Sequence, residues 1–402
     1  MNLVQVSLSS IRLGQPLPFE LRTERGVLLA LRGYVIESRE EIDHWTSRGI
    51  TLCVDMDAND DRQRAYVGKL HNMLRAERPL GEIANVQIAP DDLFVNKRPE
   101  KPERPDWMAF QARAHGLLRD ADQENFLTRL DKLYLELTEL VQHHPDATLF
   151  ALLHLSATEL RMYSATHAML VYVVCSLAAR EVLDWPIELD PTIGKAALTM
   201  NLSMTALQDV LAVQTKPLTT EQIEAIEAHA QRSFSMLVAM GVTDENWLMA
   251  VRHHHDRAPG PLASKTEALR IARLIQRADM FTSRLAPRVS RTPMSTSAAM
   301  QACYFNEEQQ VDEAGASLIK AVGVYSPGMY VKLASNELAA VIQRGKNTST
   351  PRVAVVVNRQ GMPVGEAIVR DTSLPAYKIT ASVPHRDVKV QVHLERLLAL
   401  IP

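Results

Sequence analysis

Four stretches of this sequence place imidazole or carboxylate groups where a protein core should be, and those are the groups that hold metal ions or move protons. From Thr266 the residues Ala268, Ile271, Ala272, Ile275, Ala278 and Thr282 fall on one helical stripe, and Asp279 shares it. A buried carboxylate without a partner costs several kcal/mol, so Asp279 requires a metal ion, a histidine, an arginine or backbone amides to answer its charge. His167 sits inside Thr166–Leu183, a segment apolar on most sides. His253, His254, His255 and Asp256 end a helix whose Trp247 and Val251 point inward, so one or two of these imidazoles follow the inward face. His229 lies beside an apolar stripe read from Ile223, Ile226, Ala230 and Leu237. A single core histidine is usually only hydrogen-bonded, but four helices each offering such a group make up the donor set of a zinc, di-iron or di-manganese site.

The elements that must position these residues are mostly helical. From Trp107 to about Val322 the apolar period is that of helices, with Leu117, Leu130, Leu133, Leu137 and Leu140 at helix-face spacing and Thr166–Leu183 as a central helix. Thr219 and Gln222 have the spacing of a capping box that opens the helix carrying His229. Before this region stands a small α+β module, with strands at Leu3–Ser7, Phe19–Arg22, Val27–Gly33 and Ile50–Val54 and a helix opened by Ser38 and Glu41. A charged helix near 61–77 and a Pro- and charge-rich linker at 97–106 follow. After the helices come strands at Tyr330–Leu333, Leu338–Ile342, Arg352–Asn358 and Val364–Arg370. The division expected is therefore 1–58, 59–106, 107–325 and 326–402, mainly α, with β structure at both ends.

Composition narrows the function classes. The 402 residues are 46% hydrophobic and 23% charged with a net charge of −3, so no global basicity points to nucleic acid. Cys53, Cys175 and Cys303 stand far apart and in no CxxC spacing, which suits a reducing cytoplasm better than a disulfide framework or a zinc ribbon. The apolar stretch Ala168–Ala179 is broken by Tyr172 and Ser176, so no membrane span is expected. The apolar-striped helices between Trp107 and Val141 could pair between two chains as a homodimer.

The order of motifs resembles the HD-GYP family of cyclic di-GMP phosphodiesterases. It runs from Tyr163–His167 through Lys216-Pro217-Leu218-Thr219 and His229 to His254-His255-Asp256, Ala278-Asp279 and Tyr325-Ser326-Pro327-Gly328. The resemblance covers roughly residues 163 to 345 and implies an HD-superfamily helical domain and a bacterial signalling role. The N-terminal module also looks like the unit that often precedes such domains. In the family a Leu-His-Asp-Ile-Gly-Lys segment supplies the His-Asp pair and a lysine; here the corresponding residues are Met200, Asn201 and Met204. The Gly-Tyr-Pro segment is likewise replaced, by Arg257 to Pro261.

The resemblance assigns one metal to the first histidine, the His-Asp pair and the last aspartate, which leaves only His167 and Asp279 here. It assigns the second to three histidines and the bridging aspartate, which leaves His229, His254 and His255 with Asn201 in place of the bridge. Hydrolysis in two-metal sites needs ions about 3.5–4 Å apart to aim a hydroxide at phosphorus. The expectation is thus a catalytically impaired module that binds cyclic di-GMP or a signalling protein. It would hold either no metal, with His167 and Asp279 paired to each other, or a single divalent ion (Zn, Fe or Mn) on His229, His254 and His255. The alternatives are a phosphohydrolase with an altered metal site and an HD-related protein-interaction platform without nucleotide. Arg273, Arg277 and Arg284 share a helix and could meet phosphate, although helix-surface arginines are usually solvated.

Overall fold

The chain divides into two units, Met1–Pro105 and Asp106–Pro402. A computed structural model describes residues 3–55, apart from 7–10, 12, 16, 18, 32–33 and 47–49, and residues 105–401, apart from 122–123, 258 and 286–295. The helix expected near 61–77, and the linker 97–106 as far as residue 104, lie outside the described residues.

In the first unit the strands are β1 (Leu3–Gln5), β2 (Leu21–Thr23), β3 (Leu28–Ala30) and β4 (Leu52–Asp55), with α1 (Arg39–Thr46) between the last two. The sheet runs β1-β4-β2-β3, and all its pairings are antiparallel. Gly26, at φ +83°, closes the β2–β3 hairpin in a backbone conformation that a side chain would strain. Phe19, Leu21, Ile36, Leu52 and Val54 bury their side chains in one small core.

The second unit is helical through Val322. It contains α2 (Trp107–Arg119), α3 (Phe126–His143), α4 (Pro145–Thr158), α5 (Tyr163–Glu181), α6 (Asp190–Thr199), α7 (Thr205–Val213), α8 (Thr220–Ala239), α9 (Glu245–His253), α10 (Glu267–Leu285), α11 (Thr296–Tyr304) and α12 (Glu313–Val322). The stripe expected from Leu117 to Leu140 belongs to two helices, because the chain turns through Asn125 at φ +65°. Every residue of α5 from Tyr163 to Ala179 is buried, as an axial helix packed on several sides requires. Leu160–Glu181 and Ile187–Val213 are long and apolar enough to cross a membrane, but 94% and 61% of these windows are buried within the protein.

A five-stranded antiparallel sheet completes the unit in the order β8-β7-β6-β5-β9. Its strands are β5 (Tyr330–Leu333), β6 (Leu338–Gln343), β7 (Arg352–Val357), β8 (Pro363–Asp371) and β9 (Ile379–Val383). A short helix, α13 (Leu394–Leu398), follows. The strand Ile379–Val383 is absent from the sequence reading, since its exposed Thr380 and Ala381 and partly buried neighbours leave no apolar alternation to find. Val331, Leu333, Val341, Val353 and Val355 are buried, and α4 packs on β6, so most of these strand residues share one core with Phe150 and Leu152.

Candidate metal centre

Helix ends place the histidines. The capping box at the start of α8 is present, with Thr219 Oγ1 accepting from Gln222 N at 3.3 Å and Gln222 Oε1 accepting from Thr219 N at 3.0 Å. The face that α8 buries is His229, Ser233 and Leu237, at i, i+4 and i+8. This corrects the apolar stripe read from the sequence: Ile223 is exposed, and Ile226 and Ala230 are only partly covered. Polar His229 and Ser233 take the inward positions because they have partners there. Asp244 Oδ1 caps α9 by accepting from Trp247 N at 3.0 Å, and the Trp247 indole donates to Thr199 Oγ1 at 2.9 Å. Helix α9 thereby ends with His254 fully buried and His255 exposed. His253 turns aside to Asp256, 2.6 Å away.

Three imidazoles converge. His229 Nε2 lies 3.2 Å from His254 Nε2 and 3.1 Å from His255 Nε2. His229 Nδ1 donates to the Ile226 carbonyl, and His254 Nδ1 donates to the Val251 carbonyl at 2.7 Å. A neutral imidazole has one N–H, so these two bonds fix both Nε2 atoms as bare lone pairs. His255 can donate to His229, but that leaves the lone pairs of His229 and His254 facing each other with no proton between them. Burial, and then the neighbouring His255 and His229, hold the His254 pKa down to about 3, so protonation does not relieve the conflict near neutral pH. Burial is also the main cause that lowers His229. A divalent cation would resolve it. Two nitrogens on one zinc ion at about 2.0–2.1 Å each stand about 3.3 Å apart, close to the separations found here. The donor set therefore fits a metal ion, held by His229, His254 and His255.

The other two candidate ligands close on each other. His167 Nε2 lies 2.7 Å from Asp279 Oδ1, and the His167 ring stacks on Tyr163. Burial would raise the Asp279 pKa, but the His167 hydrogen bond and the charges of His167, His255 and His254 outweigh it and hold the carboxyl below the usual carboxylate range. The stripe of Ala268, Ile271, Ala272, Ile275, Ala278 and Thr282 is buried as its spacing predicts, with Asp279 at its margin.

Among the residues that the resemblance sets against the His-Asp pair and the lysine, Met200 is fully buried and Asn201 nearly so, while Met204 is partly covered. This segment is fastened to α8 by its neighbour Ser203, whose hydroxyl donates to the His229 carbonyl at 2.9 Å and whose amide donates to Ser233 Oγ at 3.1 Å. The sequence reading missed Ser203 and Ser233, because a serine facing a helix backbone leaves no pattern in type or spacing.

Two of the three arginines depart from the sequence reading. Arg273 and Arg277 are buried, and their charges are answered inside the protein: Arg273 Nη2 lies 2.6 Å from Asp312 Oδ2 and 2.9 Å from Glu307 Oε2, and Arg277 Nη2 lies 3.2 Å from Glu307 Oε1. Two guanidinium groups already matched by two carboxylates are not open to phosphate. Arg284 lies in the last turn of α10, partly covered. A second polar network was also missed: Asp190, at the start of α6, accepts from Tyr134 Oη and Tyr172 Oη at 2.8 Å and from Ser176 Oγ at 2.7 Å. Asp190-Pro191 reads as an ordinary exposed helix start, so only the packing reveals it.

A cyclic di-GMP phosphodiesterase of Pseudomonas aeruginosa is 25% identical to this chain over 240 residues, or 58% of this chain and 57% of that relative. The chain is HD-GYP-like. It spans little more than half the length of the curated relative it matches. An HDG"Y"P protein from Bdellovibrio bacteriovorus compares with a TM-score of 0.40 and 11% identity, over 79% of this chain and 98% of the other. No protein-family model matches the chain. For an HD-GYP-like chain the arrangement is uneven: the three histidines converge as a group that could hold one metal ion, while His167 and Asp279 hydrogen-bond to each other.

Proposed function

We propose that this HD-GYP-like chain serves cyclic di-GMP-related signalling as a binding or regulatory module that holds one divalent ion and does not carry out two-metal hydrolysis. One observation carries this reading. The residues available as ligands fall into a closed His167–Asp279 pair and an open triad of His229, His254 and His255, and the family resemblance puts Asn201 at the sequence position of the bridging carboxylate. An amide neither balances cation charge nor joins two ions, and Met204 supplies no positive donor for charge developing on a phosphoryl oxygen.

The ion would be held by the three Nε2 atoms, and its chemistry when bound is that of a Lewis acid toward an oxygen ligand. The protein's own groups orient it: the carbonyls of Ile226 and Val251 set the ring tautomers, and Ser203 braces the His229 backbone. A second reading, a phosphohydrolase with an altered metal site, is favoured by the exposure of His255, which leaves one side of the triad open to solvent.

Metal analysis and nucleotide titration on one purified batch separate the two. The expected result is no more than one ion per chain, heat on titration with cyclic di-GMP, and nucleotide recovered intact after prolonged incubation with zinc, iron or manganese. Two ions per chain together with linear product would overturn the proposal.

A further inference from the structure

We propose that the His229–His254–His255 site selects a zinc-class cation and uses it as a clip that fastens helix α8 to the end of α9, so that metal occupancy sets the order of α8. The inference rests on the one-metal reading above and adds which ion is taken and what its binding does to the chain.

Selectivity follows from the donor atoms. Among the described residues, the histidines whose ligand atoms converge within 4.8 Å are not joined by any carboxylate oxygen or thiolate. The nearby Asp279 is already committed to His167 at 2.7 Å. Three neutral imidazoles suit zinc, copper, iron or nickel, whereas manganese, magnesium and calcium favour the carboxylate and carbonyl oxygens that this site lacks. Two of the three rings are preset by backbone carbonyls, so little ordering remains to be done when the ion arrives.

The clip follows from how α8 is attached. It is a helix of 20 residues, yet only His229, Ser233 and Leu237 are buried. Helices in proteins are held chiefly by the packing of an apolar face, and here that face is one buried leucine with Ile226, Phe234 and Met236 only partly covered beside it. Ile223 and Val238 on the same helix are exposed, as is Leu218 just before it. Partly buried Met236 packs against the core, and the Arg252 guanidinium of α9 lies 5.3 Å from the centroid of the Phe234 ring; the hydrogen-bonded attachments are Ser203 with the His229 carbonyl and Ser233, and Gln214, which exchanges amide bonds of 2.8 and 3.1 Å with Gln222. Without a cation, the contact between His229 and His254 is one of opposed lone pairs. With one, the same three atoms bind a common centre, and metal-binding free energy becomes folding free energy for the helix that supplies His229.

The test uses the full chain stripped of metal, with no nucleotide present. Equilibrium dialysis against buffered zinc or manganese is expected to give one zinc per chain, bound at least about 100-fold more tightly than manganese. Hydrogen exchange with and without zinc is expected to slow at 220–239 and 251–256 and to stay unchanged in the axial helix at 163–181. His255→Ala, at an exposed position, should lose the zinc binding and the protection together, while His253→Ala, whose ring serves Asp256, should keep both. Equal affinity for manganese would overturn the selectivity with the one-metal reading intact. Zinc binding without protection confined to these segments, or protection that survives His255→Ala, would overturn the clip. Two zinc ions per chain would remove the one-metal reading itself.

Discussion

His167 and Asp279 come from helices more than a hundred residues apart in sequence, and each satisfies the other at 2.7 Å. The carboxylate is the acceptor that makes a fully buried imidazole tolerable, so Asp279→Ala should strand a buried ring N–H. The expected cost is about 2–4 kcal/mol, read as a lower urea midpoint with an unchanged slope. Asp279→Asn, which keeps an acceptor, should recover part of it. The need for a partner was legible in the sequence for both residues, since each interrupts an apolar stripe. Their pairing was foreseen only as one of two outcomes, because an apolar stripe shows that a polar group is buried and not what it faces. Arg273 and Arg277 mark the opposite limit. Their helix position suggested solvated cations, and the carboxylates that answer them, Glu307 and Asp312, lie 30 and 39 residues on, where spacing gives no sign of the contact.

Close approach of helices depends on small residues at chosen points. A Cβ on Gly315 of α12 would lie 1.9 Å from the backbone oxygen of Cys303 in α11, and a main-chain oxygen cannot rotate away. Gly315→Ala should therefore force the two helices apart and cost about 2–3 kcal/mol, seen as a fall in the thermal midpoint. Asp312, which caps α12 at Gly315 N at 2.9 Å, also receives the two arginines of α10, so the same displacement should loosen the helix that carries Asp279. Helix α8 shows the contrasting economy. Its capping box was readable from Thr219 and Gln222 because a cap is a local motif of fixed spacing. Its buried face was misread because hydrophobic period points to Ile223 and Ile226, whereas a polar site at the helix contact selects His229 and Ser233.

At the scale of the second unit, the C-terminal sheet and the helices are joined by polar ties as well as by a shared core. Arg344, on the loop after β6, lies 2.6 Å from Asp146 Oδ1 and 2.7 Å from Glu181 Oε2, linking the sheet to α4 and α5. His154 of α4 faces His385, which follows β9, with ring centroids 5.6 Å apart, and Tyr330 of β5 meets His385 edge-on. Burial, then His154, lowers the His385 pKa from 6.5 to about 4, and burial lowers that of His154. A histidine whose folded pKa is depressed takes up protons in the unfolded chain first. Its contribution to stability is complete above pH 6.5 and is lost as the pH falls toward about 4. Urea unfolding of His385→Phe should show a shallower decline in stability than the parent between pH 6.5 and about 4, with the two curves parallel at lower pH. Parallel curves within that range would mean that His385 is not held neutral.

The sequence by itself determined the secondary structure of most of the second unit, the order of motifs that makes the chain HD-GYP-like, and the presence of Met200 and Asn201 at the position to which that resemblance assigns a His-Asp pair. These are properties of residue type, local period and spacing, which need no knowledge of what touches what. Tertiary structure alone decided which candidate ligands come together: three imidazoles aimed at one point, with tautomers set by the Ile226 and Val251 carbonyls, and a fourth withdrawn into a pair with Asp279. Ligand convergence depends on distances of about 3 Å between side chains on separate helices, and only the packing of those helices sets them.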